Sequence, residues 1–114
     1  KTKTITVLKG FRTVISESGK ETFINKSGNP GMATGGMGDA LTGIIASFIA
    51  QGYTAKESAL LGVFTHGKAG DIIAEKTSKR GILASDIIKI ISKTILSIEK
   101  NKESFLDTDE ITYV

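Results

Sequence analysis

Apolar and polar residues alternate over the first part of the chain and then switch to a helical repeat, so strands are expected before helices. Thr4-Ile5-Thr6-Val7-Leu8-Lys9 alternates as a strand does, and Gly10 interrupts it. Arg12-Thr13-Val14-Ile15 reads as a second strand. Ser16-Glu17-Ser18-Gly19-Lys20 reads as a turn, with Gly19 able to take positive φ. Glu21-Thr22-Phe23-Ile24-Asn25 reads as a third strand, closing a hairpin with the second. A glycine-rich loop follows over residues 26–38. Beyond it, Leu41, Ile44, Ile45, Phe48 and Ile49 fall on one face of a helix running from near Asp39 to Gln51. Gly52 is placed to end that helix in the left-handed conformation.

Thr54-Ala55-Lys56-Glu57 has the capping-box spacing and starts a second helix. Leu60, Leu61, Val63 and Phe64 give it an apolar side, Ile72 and Ile73 continue it, and Gly81 stops the run. Gly62, Gly67 and Gly70 would each weaken an isolated helix by about 1 kcal/mol relative to Ala, so they predict close packing against a neighbouring element. Ser85 or a neighbour caps a third helix, with Ile87, Ile88, Ile91, Ile95 and Ile98 as its buried stripe. Residues 99–114 turn polar and net acidic and read as a helix end followed by a loose or docked tail. Three strands followed by three apolar-faced helices want a larger sheet than these strands supply. With a first residue of Lys1 rather than Met, this reads as part of a longer protein whose N-terminal half lies elsewhere.

Composition narrows the function classes. A chain of 114 residues suffices for one small domain, and 39% hydrophobic with 24% charged residues fits a globular one. Without cysteine there is no disulfide scaffold, Cys-ligated zinc site or iron–sulfur cluster, which is compatible with a cytoplasmic location. No apolar run approaches the ~20 residues of a membrane span, and Lys1-Thr2-Lys3-Thr4 does not resemble a signal peptide. The net charge of +3 is scattered rather than striped, which argues against nucleic-acid binding.

Five of the 13 glycines and the only proline fall within Gly28-Asn29-Pro30-Gly31-Met32-Ala33-Thr34-Gly35-Gly36-Met37-Gly38-Asp39. A helix starting directly after such a loop offers unpaired N–H groups and a positive dipole end to an anion. Asp39 places a carboxylate there. Beside a phosphate it would be repulsive unless it takes a proton from a hydroxyl that receives a phosphoryl group. Two familiar phosphate motifs are rejected. Gly31 and Gly36 have the Walker glycine spacing, but Met37 and Gly38 stand where Lys and Ser/Thr are needed. Gly36-Met37-Gly38 meets Leu41 where a dinucleotide fingerprint needs its third glycine.

The string Asn29-Pro30-Gly31-Met32-Ala33-Thr34-Gly35-Gly36-Met37-Gly38-Asp39-Ala40-Leu41-Thr42-Gly43-Ile44-Ile45-Ala46 resembles the C-terminal signature of the ADP/ATP-dependent NAD(P)H-hydrate dehydratases, which belong to the ribokinase-like superfamily. Lys9-Gly10-Phe11-Arg12-Thr13 is similar to that family's adenylate-contacting segment, and His66-Gly67-x-Ala69-Gly70-Asp71 and Leu83-Ala84-Ser85-Asp86 also match its pattern. The resemblance runs over about residues 5–95. It implies an α/β fold, the C-terminal part of a three-layer α/β/α domain, with residues 1–114 as one fragment of it. It also implies a carbon–oxygen lyase that restores NADH or NADPH from the S epimer of its hydrate, at the expense of ADP or ATP. The hydrate hydroxyl is phosphorylated, and phosphate then leaves as the ring double bond forms.

Roles follow from the resemblance. Asp39 is the general base and contacts the hydrate. Gly36, Met37 and Gly38 offer backbone N–H groups to the transferring phosphate. Lys9, Gly10, Phe11, Arg12 and Thr13 line the adenylate or its phosphates. Asn29, Gly31, Met32, Ala33, Thr34 and Gly35 form the wall between nucleotide and hydrate, and Gly38 lies against the nucleotide. Mg²⁺ is expected with the nucleotide, held mainly by phosphates and water, with no protein metal site. The implied partners are hydrated NADH or NADPH, an adenine nucleotide, the N-terminal half of the domain and further copies in a homo-oligomer, with no membrane.

Plainer readings stand beside these. An aspartate at a helix start is commonly a cap, and Lys9 and Arg12 could be solvated strand charges. His66, the only histidine, reads as a structural hydrogen-bonding residue in mid-helix. Asp71 and Asp86 read as helix-polar or capping residues, and Met32 and Met37 as lining. Two other functions remain open: a ribokinase-like kinase acting on a vitamin precursor or sugar, and a nucleotide-binding module without turnover.

Overall fold

A computed structural model describes residues 4–100 and the backbone of 111–113. Among these residues, strands β1 (Ile5–Leu8), β2 (Val14–Glu17), β3 (Thr22–Asn25) and β4 (Ile111–Tyr113) form one antiparallel sheet in that order. Between β3 and β4 come a 3₁₀ turn (Pro30–Met32) and three helices, α1 (Met37–Ala50), α2 (Ala55–Lys76) and α3 (Ala84–Lys100). None of these helices is long and apolar enough to cross a membrane.

The register places Val7 opposite Ile15 and Ile15 opposite Phe23, so one face of the sheet is apolar. Ile15 is 1% exposed and packs with Leu41 of α1 and with Ala59 and Val63 of α2. Burying a side chain of this size stabilises by about 1.5–3 kcal/mol. A second apolar cluster lies among the helices, where Met37, Ala69, Ile82 and Ile87 meet. The α2 start is held by the expected capping box. Thr54 Oγ1 accepts from the Glu57 N–H at 3.1 Å, and the Thr54 N–H donates to the Glu57 carboxylate at 2.9 Å. Gly19 and Gly52 take the positive φ expected of them, at 74° and 98°.

The three α2 glycines sit where elements touch. A β-carbon at Gly62 would strike Ile45 of α1, one at Gly67 would strike Ser27, and one at Gly70 would strike the Met32 thioether. The predicted close packing is therefore present, and two of its three contacts hold the glycine-rich loop rather than another helix.

Several boundaries differ from the pattern reading. Arg12 and Thr13 belong to the β1–β2 turn, and Ser16 and Glu17 extend β2, because Ser16 pairs with Thr6 and Thr22 on either side and Glu17 pairs with Ile5 of β1. Helix α1 starts at Met37, two residues before Asp39. On α3 the stripe is rotated: Ile88 is 59% exposed and Thr94 is 1% exposed. Thr94 tolerates burial because its hydroxyl donates to the Ile90 carbonyl at 3.0 Å. Strand β4 pairs with β3 in a stretch read only as a polar tail. The rest of that tail, 101–110 and 114, and residues 1–3 lie outside the described residues.

Gly67→Ala is expected to lower stability by about 1–3 kcal/mol, because its β-carbon has no room beside Ser27. Gly43→Ala, where nothing lies within 4 Å, is expected to raise it by up to about 1 kcal/mol. Chemical denaturation of both variants checks the pair.

Candidate functional site

The loop leaving β3 is secured before it reaches α1. Asn25 and Ser27, 3% and 7% exposed, form a buried polar pair. Ser27 Oγ lies 2.9 Å from Asn25 Oδ1 and 3.2 Å from the Phe64 carbonyl of α2. Gly28, at φ 100°, turns the chain over α2. The Asp71 carboxylate of α2 then grips the next two residues. It accepts from the Gly28 N–H at 2.9 Å and from Asn29 Nδ2 at 3.0 Å. Asn29 also caps the 3₁₀ turn, its Oδ1 accepting from the Gly31 N–H at 3.1 Å with Pro30 in the first position. Farther on, Gly31 lies flat against the Lys79 carbonyl, and Thr34 Oγ1 donates to the Ile82 carbonyl at 2.9 Å.

Gly36 is the N-cap of α1, in the left-handed region at φ 81°, with no side-chain cap. The Met37 N–H donates to the Thr34 carbonyl at 3.3 Å, and the first intrahelical bond runs from the Ala40 N–H to the Gly36 carbonyl. The N–H groups of Gly38 and Asp39 therefore stand at the open, positive end of the helix. Asp39 is exposed in the first turn and is not the helix cap.

The β1–β2 turn, the loop and α2 enclose a cavity of about 450 Å³. This lies within the range of small-ligand sites. Of the residues singled out from the sequence, Lys9, Gly10, Phe11, Thr13, Asn29, Met32, Ala33 and Met37 line it. Arg12 does not; its guanidinium lies 5.2 Å from the Phe11 ring centroid, and Phe11 is itself 82% exposed. Gly31, Thr34 and Gly35 do not line it either. The Lys9 ammonium covers Gly38, lying 2.6 Å from where a β-carbon there would stand. Asp39 and Gly36 open instead onto a second hollow of about 480 Å³, between α1 and α3, with Ile44, Phe48, Ile88 and Ile91 among its walls. The glycine turn is thus a partition, with a cation-bearing cavity on one side and the carboxylate beside an apolar hollow on the other.

His66, from α2, forms part of the wall of the first cavity and is 7% exposed. Its Nε2 completes no hydrogen bond among the described residues, and the ring's hydrogen-bonding partner is the Met37 backbone. Burial lowers its pKa to about 4, with the Lys9 charge acting in the same direction and the Met37 backbone in the opposite one. The ring is therefore neutral at pH 7. Asp86 does cap α3, accepting from the Leu83 N–H at 2.9 Å, whereas Asp71 is the loop clamp. No group of three or more His, Cys, Asp or Glu residues suited to a metal ion occurs among the described residues.

Sequence reasoning missed Asn25 and Ser27 and read Asp71 as a helix-polar or capping residue, whereas all three build the loop's foundation. Only the Asn29-Pro30 pair carried a local signal, that of a capped turn with Pro in its first position.

Comparison with known proteins places this geometry. Residues 1–93 match the NAD(P)H-hydrate dehydratase family. A bifunctional NAD(P)H-hydrate repair enzyme of Thermofilum pendens is 41% identical over 107 residues, covering 94% of this chain and 20% of that protein. An ADP-dependent (S)-NAD(P)H-hydrate dehydratase of Neisseria meningitidis serogroup B is 45% identical over 82 residues, covering 71% of this chain and 28% of that protein. The ADP/ATP-dependent NAD(P)H-hydrate dehydratase of Bacillus subtilis, co-crystallised with ATP/Mg²⁺, superposes with a TM-score of 0.79 at 31% identity, over 82% of this chain and 34% of its own. The chain thus spans 20% to 34% of the length of these three relatives. The fold is the C-terminal part of a ribokinase-like α/β domain.

Two outcomes test the geometry. Asp71→Ala strands the Gly28 and Asn29 donors, so it should cost about 1–3 kcal/mol and speed amide exchange over residues 28–31. The second concerns pH. An unfolded histidine titrates near 6.5, while folded His66 titrates near 4, so between these values the unfolded chain binds the extra proton. Stability should therefore rise from pH 4 to 6.5 by up to about 3 kcal/mol from this residue and then level off. In thermal melts across that range, His66→Phe should flatten the slope.

Proposed function

This chain belongs to the NAD(P)H-hydrate dehydratase family, and on that premise we propose that it carries the nucleotide wall and the proton acceptor of a phosphoryl-transfer site that repairs hydrated nicotinamide cofactors. The adenine nucleotide, ADP or ATP, occupies the cavity walled by Lys9, Phe11, Asn29 and Met32. Its terminal phosphoryl group meets the open end of α1 under the Lys9 ammonium. Hydrated NADH or NADPH approaches from the Asp39 side. Asp39 takes the proton of the hydrate hydroxyl, the hydroxyl oxygen bonds to the phosphoryl phosphorus, and the bond to the nucleotide breaks, leaving AMP or ADP. Phosphate then departs with the carbon–oxygen bonding electrons while the neighbouring ring carbon loses a proton to water, forming the double bond; hydroxide would leave poorly at neutral pH. Fixed amides and Lys9 stabilise charge on the moving group without reorganising.

The observation that carries this reading is the Lys9 ammonium over Gly38, one residue from Asp39, at the start of α1. A cation and a helix N-terminus together want an anion, and the neighbouring carboxylate gives that anion something to react with. The glycine turn gives each substrate its own side and leaves the head of α1 as the place where the hydroxyl and the phosphoryl group meet, as direct transfer requires. The opposing wall is assigned to the rest of the domain, since the relatives are three to five times longer than the span matched here.

The test uses the chain together with the remainder of its domain. Asp39→Asn should lower turnover of hydrated NADPH by at least about 10²-fold, while ADP affinity, measured separately by calorimetry, stays near that of the parent. The products should be inorganic phosphate and the absorbance of reduced nicotinamide. A stable phosphorylated product would instead indicate a small-molecule kinase, and near-normal turnover in Asp39→Asn would remove the carboxylate from the mechanism.

A further inference from the structure

The hollow on the Asp39 side is a groove with two unlike walls. Its α1 wall follows Gly36, Ala40, Gly43 and Ser47, one face of that helix over three turns. At 1.5 Å per residue this wall runs about 17 Å. It is low: nothing lies within 4 Å of a β-carbon built on Gly43. The α3 wall is high and apolar, with Ile88, Ile91 and Ile95 on one face, and Ile88 is 59% exposed. The walls close together at the head of the groove, where a β-carbon on Gly36 would stand 3.5 Å from Ala84 Cβ. Asp39, at that same end, is the only charged residue lining it. A dinucleotide laid along such a groove would bring its pyrophosphate out of water onto isoleucines, with a carboxylate as its one charged neighbour. A low wall facing a high one suits apolar side chains from another backbone element, interdigitating with the isoleucines over the small residues.

We propose that the groove seats an apolar segment of the N-terminal part of the domain, laid along α1 and α3 with one end beside Asp39. The matched region is 34% of the Bacillus subtilis dehydratase, and the fold of this chain is the C-terminal part of the domain, so most of such a domain is available to cover it. The carboxylate adds direction. The wall opposite Asp39 is assigned above to the rest of the domain, and an element running up the groove arrives at that wall. A second copy of the chain could sit there only by taking the place of its own domain. The proposal rests on family membership and on that assignment, and not on the proton transfer given to Asp39.

The test uses the chain joined to the remainder of its domain. This chain has no cysteine, so Ser47→Cys puts a single thiol of these residues in the groove, and Ser92→Cys puts one on the exposed side of α3, away from it. Maleimide labelling is read at each site by peptide mass mapping. Ser47→Cys should label at least about 100-fold more slowly than Ser92→Cys in the native domain and equally fast in denaturant. Ile88→Lys should lower the melting temperature of the joined domain by at least about 4 °C, because it buries an unpaired charge under the seated segment. Equal native labelling overturns the proposal, as does an unchanged melting temperature in Ile88→Lys. Protection that appears only as protein concentration rises assigns the groove to a second copy, and protection that appears only with added NADPH assigns it to the dinucleotide; either result overturns the proposal. If Ile88→Lys does not fold, the labelling decides without it. Near-normal turnover in Asp39→Asn would remove the catalytic reading and leave the labelling result standing, so the two can fail separately.

Discussion

At Gly67 and Gly70 the Ser27 and Met32 residues of the glycine-rich loop rest directly on the α2 backbone, and everything at the site depends on that closeness. Helix α2 is the most deeply buried element, and its inner face is made of Gly62, Val63, His66, Gly67 and Gly70. With hydrogen atoms at two of these positions, Ser27 and Met32 sit directly against the helix. The arrangement spends helix propensity at three positions to gain a short distance, and the loss is recovered through packing and the buried Asn25–Ser27 bonds.

That contact fixes the loop's height, and Asp71 fixes its direction. One carboxylate takes both a backbone N–H and a side-chain amide from adjacent residues, so Gly28 and Asn29 cannot rotate independently. Asn29 in turn spends its other amide atom on the 3₁₀ turn. The path from Asn25 to Gly36 is therefore set by polar side chains, Asn29 and Thr34 within the glycine string and Asn25, Ser27 and Asp71 outside it. The glycines permit the path, and the polar side chains select it. The same division explains the chemistry: the backbone of α1 presents donors, while the lysine that faces them comes from a separate hairpin.

Much of this was legible in the chain itself. The apolar period located all three helices, the Thr54 box marked one helix start, and the Gly-Gly-x-Gly-Asp string marked the turn at the head of α1. What was not legible depends on distant partners. Ser16 and Glu17 look like turn residues until pairing, on both sides for Ser16 and with β1 for Glu17, makes them strand. Ile88 looks buried until α3 rotates to hide Thr94 instead. Asp71 reads as one more helix-surface acid because its partners lie 43 and 42 residues earlier. Arg12 looks like a ligand-facing cation, yet the adjacent Phe11 ring holds it outside the cavity.

The link between α2 and α3 braces the loop with main-chain atoms: the Lys79 carbonyl abuts Gly31, and the Ile82 carbonyl takes the Thr34 hydroxyl. Such a brace is indifferent to which side chains decorate it and intolerant of any change in its length. Substitutions at Lys79 or Arg80 should drift freely over evolutionary time, while an insertion or deletion there would displace the loop's outer edge. The segment is thus a gauge block cut in backbone, and its spelling matters less than its measure.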